Sequence, residues 1–232
     1  MNIRGIQKTS LIDYPGKICS ILFVGGCNLS CKFCHNPDLV INSNSLKKLP
    51  DNEVLDFLLA RKNIIDGVTI TGGEPTLDKD LFQFCRKLKD IGFLVKIDTN
   101  GFLPDIIKSL CDQSLVDYFA IDIKTSPSKY NALTNSHIDF KKIIQTLEIC
   151  KQFQLDYELR TTCIPEYASL DDFLEIKQSL GQVKNYYIQQ FISNVDLIDP
   201  VFKEITPLSV KELKKIKEFI STFADNCEIR GI

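Results

Sequence analysis

Nowhere in the 232 residues do about 18 apolar positions run together, so the sequence offers no candidate for a membrane-spanning helix. The opening stretch MNIRGIQKTS lacks the apolar core of a secretion signal. A cytoplasmic protein without membrane contacts is therefore expected. Neither sign of charge dominates: 28 basic and 30 acidic residues leave a formal net charge of −2. Without a basic surplus, nothing prompts nucleic acid as a partner. No internal repeat, low-complexity segment or linker interrupts the chain, and its length suits one α/β domain spanning 1–232. Histidine is scarce as well, with only His35 and His137 able to add an imidazole to a metal site.

What the sequence does contain is nine cysteines. Six of them, Cys19, Cys85, Cys111, Cys150, Cys163 and Cys227, are scattered singly without paired spacing, which excludes a disulfide framework. In a reducing compartment such isolated residues serve as small core hydrophobes. The other three fall together in VGGCNLSCKFCHNPDLV, residues 24–40, as Cys27, Cys31 and Cys34. On its own, CxxxCxxC supports three readings. A structural zinc site needs a fourth ligand, for which the adjacent His35 is awkwardly placed. A CxxC thiol pair leaves Cys27 unexplained. A four-iron cluster on three thiolates leaves one iron open.

Apolar pattern and Gly/Pro punctuation alternate between strands and helices. Strands are expected at Ile18 to Val24, Gly67 to Thr71, Phe93 to Thr99, Tyr118 to Ile123, Tyr157 to Cys163 and Tyr186 to Phe191. Helices are expected at Asn52 to Lys62, Lys79 to Ile91, Pro104 to Leu110, Asp139 to Phe153, Leu170 to Leu180 and Ser209 to Ala224. Near-continuous apolar strands separated by helices point to a parallel sheet buried on both faces. Periodicity does not say whether that sheet closes. NSNSLKK, residues 42–48, reads as a mobile loop. Polar residues that look out of place lie at strand ends: the cysteines, GGEP (Gly72 to Pro75), DTNG (Asp98 to Gly101), DIK (Asp122 to Lys124), IPE (Ile164 to Glu166), and Gln189 with Gln190. Ligands of parallel α/β folds bind at that edge, so these residues should share one mouth.

Closely spaced cysteines after the first strand and GGEP after the second resemble the radical S-adenosylmethionine enzymes. The resemblance implies a partial (βα)6 TIM-like barrel of parallel strands and a [4Fe-4S] cluster on Cys27, Cys31 and Cys34. The fourth iron would take S-adenosylmethionine. Phe33 would lie beside the adenine. Gly72 and Gly73 would let the backbone approach the ligand, and Glu74 would offer a carboxylate to its amino group. Asp98 and Asp122, on neighbouring strand ends, would repel unless a cation lay between them. Lys124 and Arg160 would supply charge toward the ligand carboxylate.

Within that superfamily, CHNP (Cys34 to Pro37), DTNG and DIK resemble the activating enzymes of glycyl radical proteins. SLIDYPGK (Ser10 to Lys17), LRTTCIPEY, IQQF and the closing strand CEIRG (Cys227 to Gly231) are similar to the anaerobic ribonucleoside-triphosphate reductase activating proteins. The resemblance implies that anaerobic ribonucleotide reductase is the partner, presenting a glycine to a 5′-deoxyadenosyl radical. A flavodoxin or ferredoxin would donate the electron. It places Phe33, His35, Gly72, Gly73, Glu74, Asp98, Asp122, Ile123, Lys124 and Arg160 around S-adenosylmethionine. By analogy with pyruvate formate-lyase activases, Asp98, Thr99 and Asp122 would hold a monovalent cation.

The chain also departs from those patterns. DYPGK (Asp13 to Lys17) stands where many activases have a DGPGxR-like loop, and no cysteine occurs in residues 38–71, so a single cluster is expected. Gln189 and Gln190 occupy a strand in which pyruvate formate-lyase activases use a histidine. Two rival readings fit the motifs less well. The 7-carboxy-7-deazaguanine synthases follow the third cysteine with Asp-Thr, against His35-Asn36 here. A non-catalytic cluster or zinc module would not need GGEP, DTNG and DIK.

Overall fold

The computed structural model describes all residues from Met1 to Ile232. Eight strands form one sheet in chain order: β1 (Ile3–Ser10), β2 (Cys19–Val24), β3 (Gly67–Gly72), β4 (Leu94–Thr99), β5 (Tyr118–Asp122), β6 (Asp156–Cys163), β7 (Val183–Gln190) and β8 (Ala224–Arg230). The helices are α1 (Pro37–Ile41), α2 (Asp51–Leu59), α3 (Leu81–Ile91), α4 (Pro104–Asp112), α5 (Tyr130–Thr134), α6 (Lys141–Gln152), α7 (Leu170–Leu180) and α8 (Val210–Ile220). Only β1 and β2 pair antiparallel, because a short turn joins them. Every later neighbour is parallel, each crossover being long enough to carry a helix. Neither edge strand, β1 or β8, has a second partner. One cavity touches residues of β3, β4, β5, β6 and β7 together with the loop after β2, so the sheet curls around it as an open, partial barrel.

Strand alternation sorts the two faces. Val68, Ile70, Val95, Ile97, Phe119, Ile121, Leu159 and Ile188 point outward and pack with Phe84, Leu88, Ile107, Ile143, Phe173 and Leu213 of the helices. Each such side chain contributes roughly 1.5–3 kcal/mol by leaving water. The alternate positions point inward and are mostly polar, among them Thr69, Lys96, Asp98, Asp122, Glu158 and Arg160. At the N-terminal end of the strands the interior is stopped by a small apolar cluster of Tyr14, Cys19, Ile21 and Tyr118, with the two tyrosine rings 5.8 Å apart. The apolar core thus lies outside the curled sheet, and its inside is left for polar chemistry.

Eight strands replace the six expected. β1 escapes a reading based on alternation because its middle is half exposed and its ends alone are buried. β8 follows α8 within a few residues, so the pattern read as helix to Ala224 ends at Ile220. α1 and α5 are too short to show a helical period. Residues 42–48, expected to be mobile, include a 3-10 turn at Ser43–Ser45 and are tied to β1, where Arg4 donates to the Leu46 carbonyl and to Asn44 Oδ1. The six scattered cysteines are unpaired, five of them buried and Cys227 half-buried. No helix is long and apolar enough to cross a membrane.

Phe119 lies at the centre of the outer core with no exposed surface. Replacing it with alanine should lower the unfolding free energy by about 3–5 kcal/mol, measured by urea titration followed by circular dichroism.

Candidate functional site

The stretch between β2 and α1 contains no regular structure until Pro37, and it is held by hydrogen-bond partners in four places. Gly25 N–H donates to Asn2 O (2.9 Å) and Gly26 N–H to Leu39 O (2.7 Å). Ser30 and Lys32 N–H donate to the carbonyls of Thr134 and Leu133 at the end of α5 (both 3.1 Å). Asn100, in the loop after β4, donates through Nδ2 to Asn28 Oδ1 (2.7 Å). These bonds fix the path of the loop, and its three thiols line one cavity of about 250 Å³. Cys31 is buried, whereas Cys27 and Cys34 are half-buried. Burial pushes the Cys27 thiol up to about 11 and Cys31 to about 12. The free thiols are protonated at neutral pH, and a metal must displace those protons to bind.

GGEP docks on this loop backbone to backbone. Gly73 N–H donates to Val24 O and Glu74 N–H to Gly26 O, both at 2.7 Å. Gly72 has φ of +114°, and a methyl group on Gly73 would lie 1.9 Å from Gly26 O. The glycines are thus required by the contact between two loops. Glu74, expected to offer its carboxylate to a ligand, is tied closely to the protein. Its carboxylate is 2% exposed and accepts from Thr76 N (3.1 Å), Thr76 Oγ1 (2.5 Å), Thr99 Oγ1 (2.8 Å) and Asn100 N (2.7 Å). With three donors on Oε1 and one on Oε2, the side chain braces the loops after β3 and β4, and it also lines the cavity.

Deeper in the sheet, charges alternate from strand to strand. Asp98 accepts from Lys96 Nζ on one oxygen and from Arg160 Nη1 (3.0 Å) on the other. Asp122 accepts from Arg160 Nε (2.9 Å) and Lys124 Nζ (2.8 Å). Below them Glu158 takes both guanidinium nitrogens of Arg230 at 2.9 Å and the Tyr118 hydroxyl at 3.1 Å. Burial alone would raise the Asp122 carboxyl, but Arg160 and Lys124 hold it down at about 2. Asp98 is likewise lowered by Arg160 and Lys96 against the effect of burial. Burial works against the charge on Lys124, yet Asp122 raises its pKa and keeps it protonated. Its ammonium stands 5.9 Å from the centre of the Phe33 ring.

The same cavity gathers Phe33, His35, Gly72, Gly73, Glu74, Asp98, Thr99, Asp122, Lys124, Arg160 and Gln189. His35 sits at its rim with its ring stacked on Phe191, centroids 6.3 Å apart. Gln190 lies outside it, lining a neighbouring cavity of about 560 Å³. Ile123 departs from expectation. Strand alternation turns its side chain away from its neighbours Asp122 and Lys124 and into the outer core, with no exposed surface. Asp98, Thr99 and Asp122, expected around a monovalent cation, are engaged here by protein partners. Each carboxylate oxygen carries a basic partner, and Thr99 Oγ1 donates to Glu74 while accepting from Gly101 N (3.1 Å). The cation between the two aspartates is the Arg160 guanidinium.

Sequence reasoning missed Lys96, Glu158 and Arg230 and gave Asn100, within DTNG, no role of its own. Lys96 had a usable signal, since it lies two positions before Asp98 in an apolar strand and must share its face. No three His, Cys, Asp or Glu side chains are gathered tightly enough to hold a single ion. Three thiols spread around one cavity, with no fourth ligand among them, suit a multi-iron body with an open corner better than zinc.

Gly73→Ala should keep the secondary structure but lose most of its iron and sulfide on anaerobic reconstitution, read by metal analysis and visible absorbance. The depressed Asp122 carboxyl stabilises the fold above its unfolded value of about 4, and that contribution is lost as pH falls toward about 2. Urea titrations across that window should show falling stability. Asp122→Asn should be less stable at neutral pH and show a shallower acid slope.

The sequence matches the radical SAM superfamily over residues 21–180. It is 35% identical over 237 aligned positions to a protein of Methanocaldococcus jannaschii assigned as a glycyl-radical enzyme activating enzyme, covering 99% of this chain and 96% of that one. It is 31% identical to the pyruvate formate-lyase-activating enzyme of Listeria monocytogenes, covering 78% of each. Among solved structures, Streptococcus suis SuiB bound to S-adenosylmethionine superposes with a TM-score of 0.66 at 16% identity, covering 88% of this chain and 48% of that one. A domain of a pyruvate-formate lyase-activating enzyme from Bacteroides vulgatus gives 0.56 at 15% identity, covering 71% of this chain and 99% of that one. The two structural likenesses speak to the fold alone. The family match and the M. jannaschii relative settle the rest: this chain belongs to the radical S-adenosylmethionine superfamily, whose enzymes work with a [4Fe-4S] cluster and S-adenosylmethionine.

Proposed function

We propose that the whole chain, residues 1–232, acts in the cytoplasm as an activating enzyme that installs a glycyl radical on a partner protein. The partner we favour is anaerobic ribonucleotide reductase, with flavodoxin or ferredoxin supplying the electron. One feature carries the reading. The thiol-lined cavity shares His35, Arg160, Thr162 and Gln189 with the larger cavity beside it, which is also lined by Ile12 and Asp13 after β1 and by Arg230 and Gly231 at the end of β8. Because β1 and β8 do not pair, the sheet is open on that side, and an extended loop of another protein has a route inward. The names of the curated relatives support the same activity.

In this reading Cys27, Cys31 and Cys34 hold the cluster. When bound, the cluster and S-adenosylmethionine supply a one-electron cleavage that yields methionine and a 5′-deoxyadenosyl radical able to take a hydrogen atom. The protein contributes position and field. Phe33 offers an apolar ring at the cavity wall, and Leu29 and Val40 limit water there. Lys124 and Arg160, both facing the cavity, present positive charge to a carboxylate. Gly72 and Gly73 also line the wall, and His35, Thr162 and Gln189 border the passage along which a substrate loop would come.

The reconstituted, reduced enzyme mixed with S-adenosylmethionine and anaerobic ribonucleotide reductase should give the doublet of a glycyl radical in electron paramagnetic resonance. Pyruvate formate-lyase in its place should give none. Cys31→Ala should abolish both the signal and S-adenosylmethionine cleavage. Cleavage without a radical on either protein, coupled to turnover of a small molecule, would refute the proposal.

A further inference from the structure

We infer that Lys96 and Arg160 take the place of a monovalent cation in this chain, so that S-adenosylmethionine is bound without sodium or potassium. The inference rests on the family's use of that cofactor and not on the identity of any partner protein.

Two carboxylates on neighbouring strand ends need positive charge between them. Here they receive it from side chains alone. Both oxygens of Asp98 and both of Asp122 are engaged by Lys96, Arg160 and Lys124, so three basic groups face two acidic ones. The two aspartates are thus paired with side-chain charge before any ion is added. The hydroxyl of Thr99 is spent on Glu74. Each carboxylate oxygen of the two aspartates and the Thr99 hydroxyl therefore has a protein partner.

Lys96 is the unusual member. It is 1% exposed, lies one layer beneath the cavity, and its ammonium stands over the face of Tyr118 at 5.9 Å. It does not line the cavity, so its charge reaches a ligand only through Asp98. A buried lysine is costly unless it is paired, and Asp98 is its only carboxylate partner. Lys96 is therefore a positioning residue. It fixes one oxygen of Asp98, which leaves the other to hold Arg160 in the plane facing the cavity. With Arg160 and Lys124 so placed, an anionic group of the cofactor meets covalently attached charge where a mobile ion would otherwise bridge.

The test is binding of S-adenosylmethionine to the anaerobically reconstituted protein by isothermal titration calorimetry, with no partner protein present. Choline, sodium and potassium chloride are compared at equal ionic strength. The wild-type dissociation constant should agree within about twofold in the three salts. Lys96→Ala opens space beside Asp98 and should bind about tenfold more weakly in choline, with recovery in sodium or potassium. Lys96→Arg, which keeps the charge, should stay indifferent to the salt. Wild-type binding that weakens about tenfold in choline would overturn the inference, and so would a folded Lys96→Ala that binds equally in all three salts. Should Lys96→Ala fail to fold, the wild-type comparison decides by itself. A negative result here leaves the glycyl radical measurement untouched, and the reverse also holds.

Discussion

Asp98 and Asp122 face one another from adjacent strands, and the inside of this sheet depends on the Arg160 guanidinium that bonds to both. A sheet that curls around a charged interior gives up hydration on every inward side chain, and the loss is tolerable only where each charge is matched. The matching is complete across three strands: Lys96 and Asp98 on β4, Asp122 on β5, Arg160 on β6, with Lys124 just beyond β5. Glu158 and Arg230 repeat the arrangement one layer down and tie β6 to the edge strand β8. The network thus links the wall of the cavity to the strand that borders its open side.

The apolar core makes that possible by lying elsewhere. Alternating residues of the strands supply a continuous hydrophobic layer to the helices, and the interior is sealed only at its lower end, by Tyr14 and Tyr118. Stability and chemistry are assigned to opposite faces of the same strands. The cysteine loop, which belongs to neither face, gains its order from backbone contacts with GGEP, β1 and α5. Glu74 joins this arrangement as a brace, so that the loops after β2, β3 and β4 are tied together around the thiols.

An open side between β1 and β8 fits a substrate too large to be enclosed. The two cavities meet at His35, Arg160, Thr162 and Gln189, so whatever enters from that side arrives next to the charged network and the thiols together. In this fold the route to the site and the field within it are set by the same few side chains.

Much of this was legible from local pattern. Six parallel strands, their helices and the gathering of strand-end residues at one mouth follow from periodicity and from the rule that ligands sit at the carboxyl edge. Cys27, Cys31 and Cys34 were legible as a metal-binding set because their spacing and unpaired count leave little else. β1 was not, since an antiparallel strand that is exposed at its middle shows no core-facing alternation. The Ile123 side chain lies in the outer core because neighbouring side chains of a strand point to opposite faces, which a motif read as a unit does not show. The partners of Glu74 and Asp98 lay beyond reach for a different reason: Asn100 and Arg160 are distant in the chain, and only the register of β3 against β4 and of β5 against β6 brings them near. The sequence by itself therefore determined which chemical groups stand at the strand ends. Tertiary structure alone decided which of those groups remain free for a ligand, because hydrogen-bond acceptors are used up by whatever the sheet register sets beside them.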